Sequence, residues 1–211
     1  MNMKKKLVTV CLVACMAVTA VAGGTLAYFT DKEEATNTFT VGNVDIKLEE
    51  EGWVEDSKLV PAAKIAKEPI ITVEDGSEEA WIFAEIELDK NFADVIVKCG
   101  GKNATVQSEM PKWFNIDSTQ WNYVTTEDRE GGSVAVVYAY KEKVAENASA
   151  TLFTEVTVAQ SFGDEELGTK LPEGTKPTVK IYAKAIQTEG LNTSEAAYQA
   201  LYNNIDITDA E

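Results

Sequence analysis

Apolar and polar residues alternate with a period of two where the chain first reads as regular structure. Val44, Ile46 and Leu48 are apolar and the residues between them are polar, which is the pattern of a half-buried β-strand. Runs rich in β-branched and aromatic residues predict further strands at 68–73, 80–88, 133–141, 151–160 and 178–187. Because turn residues separate these runs, we expect an all-β fold, an antiparallel jelly-roll-like β-sandwich.

The middle of the chain predicts two more pairs of strands. Residues 95–106 read as a hairpin around Gly100-Gly101, and residues 113–124 read as a second pair. Near the C-terminus the pattern changes, because Asn192 lies three residues before Glu195 and several alanines follow. This arrangement predicts a short C-terminal helix.

The first 27 residues have the order of a secretory signal peptide. Residues 1–6 are basic, residues 7–22 are almost wholly apolar, and residues 23–27 are small. We expect cleavage between Ala27 and Tyr28, contact with the membrane only during export, and a secreted mature protein of one domain, residues 28–211. No repeat or low-complexity linker divides that domain.

Two other interpretations of the leader remain open. Residues 12–15 match a lipoprotein cleavage pattern, which would place a lipid on Cys15. Residues 7–26 are 20 residues long, about one bilayer span, so an uncleaved anchor is the second alternative. The small residues at the exit and the apolar residues after Cys15 favour cleavage.

The chain is strongly acidic, with 19 lysines and arginines against 35 aspartates and glutamates and a formal net charge of −16. Without the three lysines of the leader, the mature chain keeps 16 basic residues (19 less 3), and its net charge is −19. Such a charge repels phosphate backbones and argues against nucleic-acid partners. Residues 164–166 offer carboxylates to calcium, although the EF-hand order of acids and glycine is missing, and no other cofactor is expected.

Histidine is absent from the chain, which limits the enzyme classes that it can join. Zinc hydrolases usually hold their metal with histidine, and serine or cysteine hydrolases use histidine as their base. Cys99 is the one cysteine of the mature chain, and we interpret it as a lone thiol at a strand end. The acidic triplets 49–51 and 164–166 have no distinctive ligand spacing and read as solvated loop charge.

Three aromatic residues allow two interpretations. Trp113, Trp121 and Tyr123 would suit a sugar-stacking surface, because flat rings pack on sugar faces. Large aromatic side chains more often fill a core, so packing between the sheets is the favoured interpretation.

Several segments resemble the TasA/camelysin family in their order along the chain. They are residues 23–31 and 37–46, then 59–61, 67–70, 80–83, 151–153 and 181–187. The resemblance implies a jelly-roll sandwich, export through a signal peptidase of the SipW type, and assembly into extracellular biofilm-matrix fibres. Some camelysin relatives carry a metallopeptidase label. The chain departs from the family at Val60-Pro61-Ala62, where members often have glycine after the proline, and this puts the loop geometry in doubt.

Physical reasoning also favours assembly through the mature N-terminus. Residues 28–40 form a donor-strand candidate, because an extended segment can add to an open sheet edge of another subunit. Its apolar anchors are Tyr28 and Phe29, with Phe39 and Val41 at the start of the first strand. The expected partner is a second copy in a head-to-tail homopolymer, and other matrix components are possible partners.

Three alternatives to that assembly stay open. Residues 28–34 could be a frayed tail that pairs with nothing. The chain could be a camelysin-like cell-surface metalloendopeptidase, although it has no histidine. It could also be a surface binding module that remains monomeric.

We predict that the precursor, expressed with a matching signal peptidase, yields a mature protein that begins at Tyr28. The small residues up to Ala27 fit the peptidase pocket, and cleavage there removes the whole apolar segment. N-terminal sequencing of the secreted protein measures this. A different first residue would contradict the assignment, and lipid on Cys15 would support the lipoprotein alternative.

Overall fold

The computed structural model describes residues 43–51, 58–173, 175 and 177–203, and the fold is given for these. The predicted leader, 1–27, and the predicted donor strand, 28–40, lie outside the described residues. The same holds for every cleavage and assembly residue assigned from the sequence, which are Ala27, Tyr28, Phe29, Phe39 and Val41. Signal cleavage and strand donation therefore stay predictions.

The described residues form nine strands and three helices. The strands are β1 (Ile46–Glu51), β2 (Lys64–Ala66), β3 (Glu68–Val73), β4 (Ala80–Asp89), β5 (Trp121–Arg129), β6 (Ser133–Tyr140), β7 (Ser149–Thr151), β8 (Glu155–Thr157) and β9 (Val179–Gln187). The helices are α1 (Lys90–Gly100), α2 (Val106–Trp113) and α3 (Ser194–Asn203). None of these helices combines the length and the hydropathy needed to cross a membrane.

The strands pair antiparallel in two layers. One sheet has the order β5-β6-β4-β9, and the other has the order β1-β3-β7. The short pair β2-β8 extends the second sheet, because Lys67 N donates to Thr154 O and Leu152 N donates to Pro69 O between the two ladders. Side chains from both sheets share one hydrophobic core, which confirms the predicted antiparallel β-sandwich.

Strand β4 is apolar on both faces because both faces are covered. Ile82 and Ile86 pack into the core between the sheets, whereas Trp81 and Phe83 belong to a second cluster on the outer face. Helix α3 covers that outer face and confirms the predicted C-terminal helix. The indole of Trp81 donates to the carbonyl oxygen of Leu191, 3.0 Å away, just before α3 begins.

The hairpin predicted at residues 95–106 is wrong, because this part of the chain forms α1 and the start of α2. Asp89 caps α1 by accepting a hydrogen bond from Phe92 N at 3.0 Å. Phe92, Val95 and Ile96 follow helical spacing and are all buried. The β-branched residues suggested a strand, but one buried helical face outweighs that preference.

The strand predicted at residues 113–114 is also wrong, because Trp113 is the last residue of α2. A capping box starts this helix, in which Thr105 Oγ1 accepts from Ser108 N at 3.1 Å and Ser108 Oγ accepts from Thr105 N at 3.0 Å. The second half of the predicted pair is correct, because residues 121–124 open β5.

The strand predicted at residues 151–160 is broken into β7 and β8. Leu152 and Phe153 are consecutive and both are buried, so the chain leaves the alternation of a strand between them. Phe153 packs against Phe114 with ring centroids 5.2 Å apart. The packing of Phe153 against Phe114 in the core therefore interrupts the strand between β7 and β8.

Core packing is confirmed for the two candidate sugar-stacking tryptophans. Trp113 and Trp121 are almost fully buried. The indole of Trp121 donates to Thr151 O at 2.9 Å, and Trp113 meets Phe92 edge to face. Tyr123 is partly buried and lies against Tyr138.

We expect Gly100→Ala to lower the free energy of unfolding by about 1–3 kcal/mol, although alanine is normally the better helix former. A Cβ atom at Gly100 would lie 2.2 Å from Cδ of the buried Glu109 and 2.6 Å from Cβ of Ala104. Urea denaturation measures the change. Lys102→Ala, at an exposed neighbouring position, is the control and should change stability by less than about 0.5 kcal/mol. Equal stability of the two variants would contradict this close approach of α1 and α2.

Candidate functional site

Strand β9 is the last strand of the four-stranded sheet, and β1 is the last strand of the other sheet. An edge strand presents backbone N–H and C=O groups that have no neighbour within its own sheet. A groove of about 890 Å³ opens beside the first residues of β9 and extends to Ile65 in β2. This groove, which we call the β9 groove, is the candidate site because it places apolar surface beside an open strand edge.

Apolar side chains from well-separated segments line the β9 groove. They are Leu59, Val60, Ile65, Phe92, Val156, Phe162, Leu171, Pro172, Pro177 and Val179. Phe92 and Val156 are buried residues of the core, whereas Val60 is 49% exposed at the rim. The floor of the groove is thus continuous with the core and can bury apolar side chains of a ligand.

The loop 161–171 forms one wall of the groove and is held by its own hydrogen bonds. The buried Thr169 accepts from Asp164 N at 3.1 Å and donates to Ser161 O. Asp164 Oδ1 accepts from Glu166 N at 2.8 Å and from Leu167 N at 3.1 Å. Asp164, one of the three acidic residues that could bind calcium, therefore stabilises this turn through hydrogen bonds. Calcium binding stays a prediction.

A tight turn at residues 60–63 begins at Val60, which lines the groove. Ala63 N donates to Val60 O at 3.1 Å, and Ala62 has a φ of 61° in the left-handed region. A proline followed by a residue with positive φ suits a type II turn, in which glycine is preferred at the third position. Ala62 therefore adopts a backbone conformation that glycine prefers. The turn is kept although alanine stands where family members often have glycine, and the alanine adds backbone strain.

The described lining of the groove contains several lysines, although the chain as a whole is acidic. These are Lys58, Lys67, Lys170 and Lys180, and the described lining has no aspartate or glutamate. The whole chain has a net charge of −16. Sequence reasoning missed these lysines because they are far apart along the chain and form no motif.

Lys67 differs from the other three because it is buried. Its side chain is 4% exposed, and its ammonium lies 2.7 Å from Glu50 Oε1 in β1. A buried charge needs such a partner, so this pair ties β1 to the junction between β2 and β3. Lys67 is part of the framework of the groove.

Lys170 and Lys180 lie at the surface and make weaker ion pairs. Lys170 bonds Glu165, and this hydrogen bond holds the pKa of the Glu165 carboxyl below its ordinary value. Lys180 Nζ is 3.9 Å from Glu87 Oε1. Exposed pairs of this kind contribute about 0–1 kcal/mol. The side chain of Lys180 lies with Glu87 on the outer face of the sheet, whereas the neighbouring Val179 packs towards the core.

A second charged cluster lies on the outer face of the four-stranded sheet. The buried Glu85 is 3.0 Å from Arg129 and 3.6 Å from Lys184. Tyr198 and Tyr202 of α3 bond Glu127 and Lys184 beside it, at 3.3 Å and 3.2 Å. These contacts attach α3 to the sheet, and we assign this cluster to the fold.

No metal site suitable for hydrolysis is found in the described residues. They contain no group of three or more cysteine, aspartate or glutamate residues that could hold an ion. The chain has no histidine, so an HExxH motif cannot exist anywhere in it. The donor groups of the described residues do not fit the zinc of a metallopeptidase.

Cys99 belongs to the last turn of α1, so its predicted place at a strand end is wrong. Partial burial raises the pKa of its thiol, and Ser161 Oγ donates to its backbone oxygen at 3.4 Å. A raised pKa leaves less thiolate at neutral pH, which is the opposite of what a nucleophilic cysteine requires.

Comparison with known proteins gives a match for the N-terminal part of the chain. Residues 2–93 match the family model described as camelysin metallo-endopeptidase. This match confirms the resemblance that the sequence shows to the TasA/camelysin family. No curated protein and no solved structure matches the chain.

We predict that Cys99 of the mature protein reacts with iodoacetamide more slowly when folded than in urea. Burial raises its thiol pKa, so at pH 8 the folded protein holds less of the reactive thiolate. Mass spectrometry of alkylated protein across a pH series measures the rate, and Cys99→Ser is the control for reaction elsewhere. A folded-state rate equal to the unfolded rate at every pH would contradict the raised pKa.

Proposed function

We propose that this chain, a member of the camelysin family, is a secreted structural subunit that polymerises outside the cell by donating its mature N-terminal strand to the next copy. The match to this family supports the proposal that the chain is a cell-surface protein. The family description names a metallo-endopeptidase, but the chain lacks histidine and its described residues lack a ligand cluster. A structural role therefore suits these residues better than hydrolysis does.

The observation that carries the proposal is the β9 groove. An acceptor for a donated strand needs an open strand edge and a place to bury the strand's side chains. The β9 groove supplies both, because β9 is the last strand of its sheet and Val179 opens onto an apolar floor. The donor-strand candidate 28–40 supplies aromatic residues for that floor.

Energetic estimates identify which groups decide binding. Each backbone hydrogen bond gained contributes about 0.5–1.5 kcal/mol, whereas ordering costs about 1–2 kcal/mol per residue. These two terms nearly cancel along an extended strand. Burying an aromatic side chain adds about 1.5–3 kcal/mol, so Tyr28, Phe29 and Phe39 are the anchors on which stable binding depends.

The geometry of donor and acceptor favours a filament over a closed dimer. The donor segment and the β9 groove are different surfaces, so each contact is heterologous and leaves one donor and one acceptor unused. Such contacts continue into a fibre unless the rotation between subunits closes a ring.

We predict that the mature protein starting at Tyr28 forms filaments and that a variant lacking Tyr28 to Thr36 stays monomeric. The deletion removes two aromatic anchors and leaves every described residue in place. Size-exclusion chromatography and electron microscopy measure assembly, and urea denaturation checks that the variant is folded. A synthetic peptide of residues 28–40 should bind the folded variant in calorimetry, whereas a scrambled peptide should not.

Three results would contradict the proposal. Monomers from both proteins at high concentration would leave a monomeric surface module as the better description. Filaments from both proteins would show that assembly does not use the mature N-terminus. Chelator-sensitive cleavage of an unfolded protein substrate would support the peptidase instead.

A further inference from the structure

The described part of the chain begins at the end of the sandwich where β9 finishes. Glu78 N donates to the carbonyl oxygen of Asn43 at 3.0 Å. The carbonyl oxygen of the neighbouring Glu79 accepts from Thr188 N, also at 3.0 Å, and Thr188 directly follows β9. The predicted donor segment precedes Asn43, so it is joined to the fold at this end, which we call the exit end.

The β9 groove lies at the opposite end of the same strand. Val179, the first residue of β9, lines the groove, whereas Gln187 is the last residue of the strand. The nine extended residues of β9 span about 26 Å from the first to the last. The exit end and the groove are therefore separated by about the length of β9.

Chain length decides which copy's groove Phe39 can reach. Four residues join Phe39 to Asn43, and four residues extend at most about 14 Å. This reach is about half of the length of β9, so Phe39 can enter the groove of a second copy but not the groove of its own chain. Tyr28 and Phe29 are not restricted in this way, because 14 residues or more join them to Asn43.

The sheet favours one direction for a strand that joins β9. Every ladder among the described strands is antiparallel. In an antiparallel strand with Phe39 opposite Val179, the phenyl ring would lie on the face that borders the groove, because opposite residues share a face. Thr38 would then lie opposite the exposed Lys180 on the outer face, where a polar residue with high strand propensity is suitable.

We propose that the donated strand runs antiparallel to β9 of the next subunit, with Phe39 in the groove beside Val179. This inference rests on the proposed function and specifies the direction of the strand and the surface that accompanies it. Asn43 follows Phe39 by only four residues, so the turn 74–79, which is hydrogen-bonded to Asn43, is brought to the mouth of the next subunit's groove. The exit end of each subunit thus stacks on the groove end of the next, and all subunits of the filament point the same way.

Threonines in the donor segment and beside β9 allow the direction to be tested by disulfide formation. In the proposed arrangement Thr40 lies opposite Thr178 of the next subunit, within the distance that a disulfide can bridge. A mature protein with Thr40→Cys, Thr178→Cys and Cys99→Ser is oxidised mildly after assembly and run on a denaturing gel without reductant. We expect a ladder of covalent multimers, because each disulfide joins two subunits.

Two matched pairs of substitutions test the opposite direction. A strand parallel to β9 would bring Thr40 to Thr188 and Thr30 to Thr178. Variants with cysteines at either pair, again with Cys99→Ser, should form filaments and give only monomer bands on the gel. Urea denaturation checks that each variant is folded, and the Cys99→Ser protein without added cysteines is the control for multimers that are not disulfide-bonded.

The outcomes separate this inference from the function on which it rests. Filaments that give no ladder from the Thr40 and Thr178 pair, or that give a ladder from either matched pair, would overturn the antiparallel arrangement and leave strand donation intact. Absence of filaments from the unmodified mature protein would overturn both. A disulfide within one chain between positions 30 and 178, found by mass spectrometry, would place the segment in its own groove and would also overturn both.

Discussion

The backbone groups at a sheet edge need partners, and this requirement shapes the whole molecule. In the middle of the four-stranded sheet, β4 and β6 have neighbours on both sides, and their side chains fill the core. At the edges, β1 and β9 end their sheets, and a groove lies beside the first residues of β9. Apolar surface beside an open edge favours unwanted association in a monomer, whereas in a subunit it provides the contact for assembly.

Much of the β-structure could be predicted because its signals are local. The run at β4 is apolar on both faces, and the structure buries both, one against the other sheet and one beneath α3. Helix α1 was missed for a physical reason, since Val95 and Ile96 have strand propensity when taken one at a time. The cap at Asp89 and the helical spacing of the buried residues were present in the sequence, and they outweigh propensity once the face packs.

The candidate site shows a different limit. The proposed donor, residues 28–40, is a continuous segment, so the sequence alone could suggest it through its aromatic residues. The β9 groove consists of residues such as Ile65, Phe162 and Val179, which meet only after the two sheets pack. Only the fold gathers these apolar residues around one floor, so no local pattern could have indicated the groove.

The contact between Trp113 and Phe162 has a practical consequence. Their rings meet edge to face with centroids 6.0 Å apart, and Phe162 lines the β9 groove while the indole is buried behind it. Indole emission depends on the polarity and the quenching groups around the ring. A ligand that displaces water from the groove and shifts Phe162 would therefore alter the fluorescence of Trp113. The molecule thus contains an intrinsic optical reporter placed directly behind the surface where association is proposed to occur.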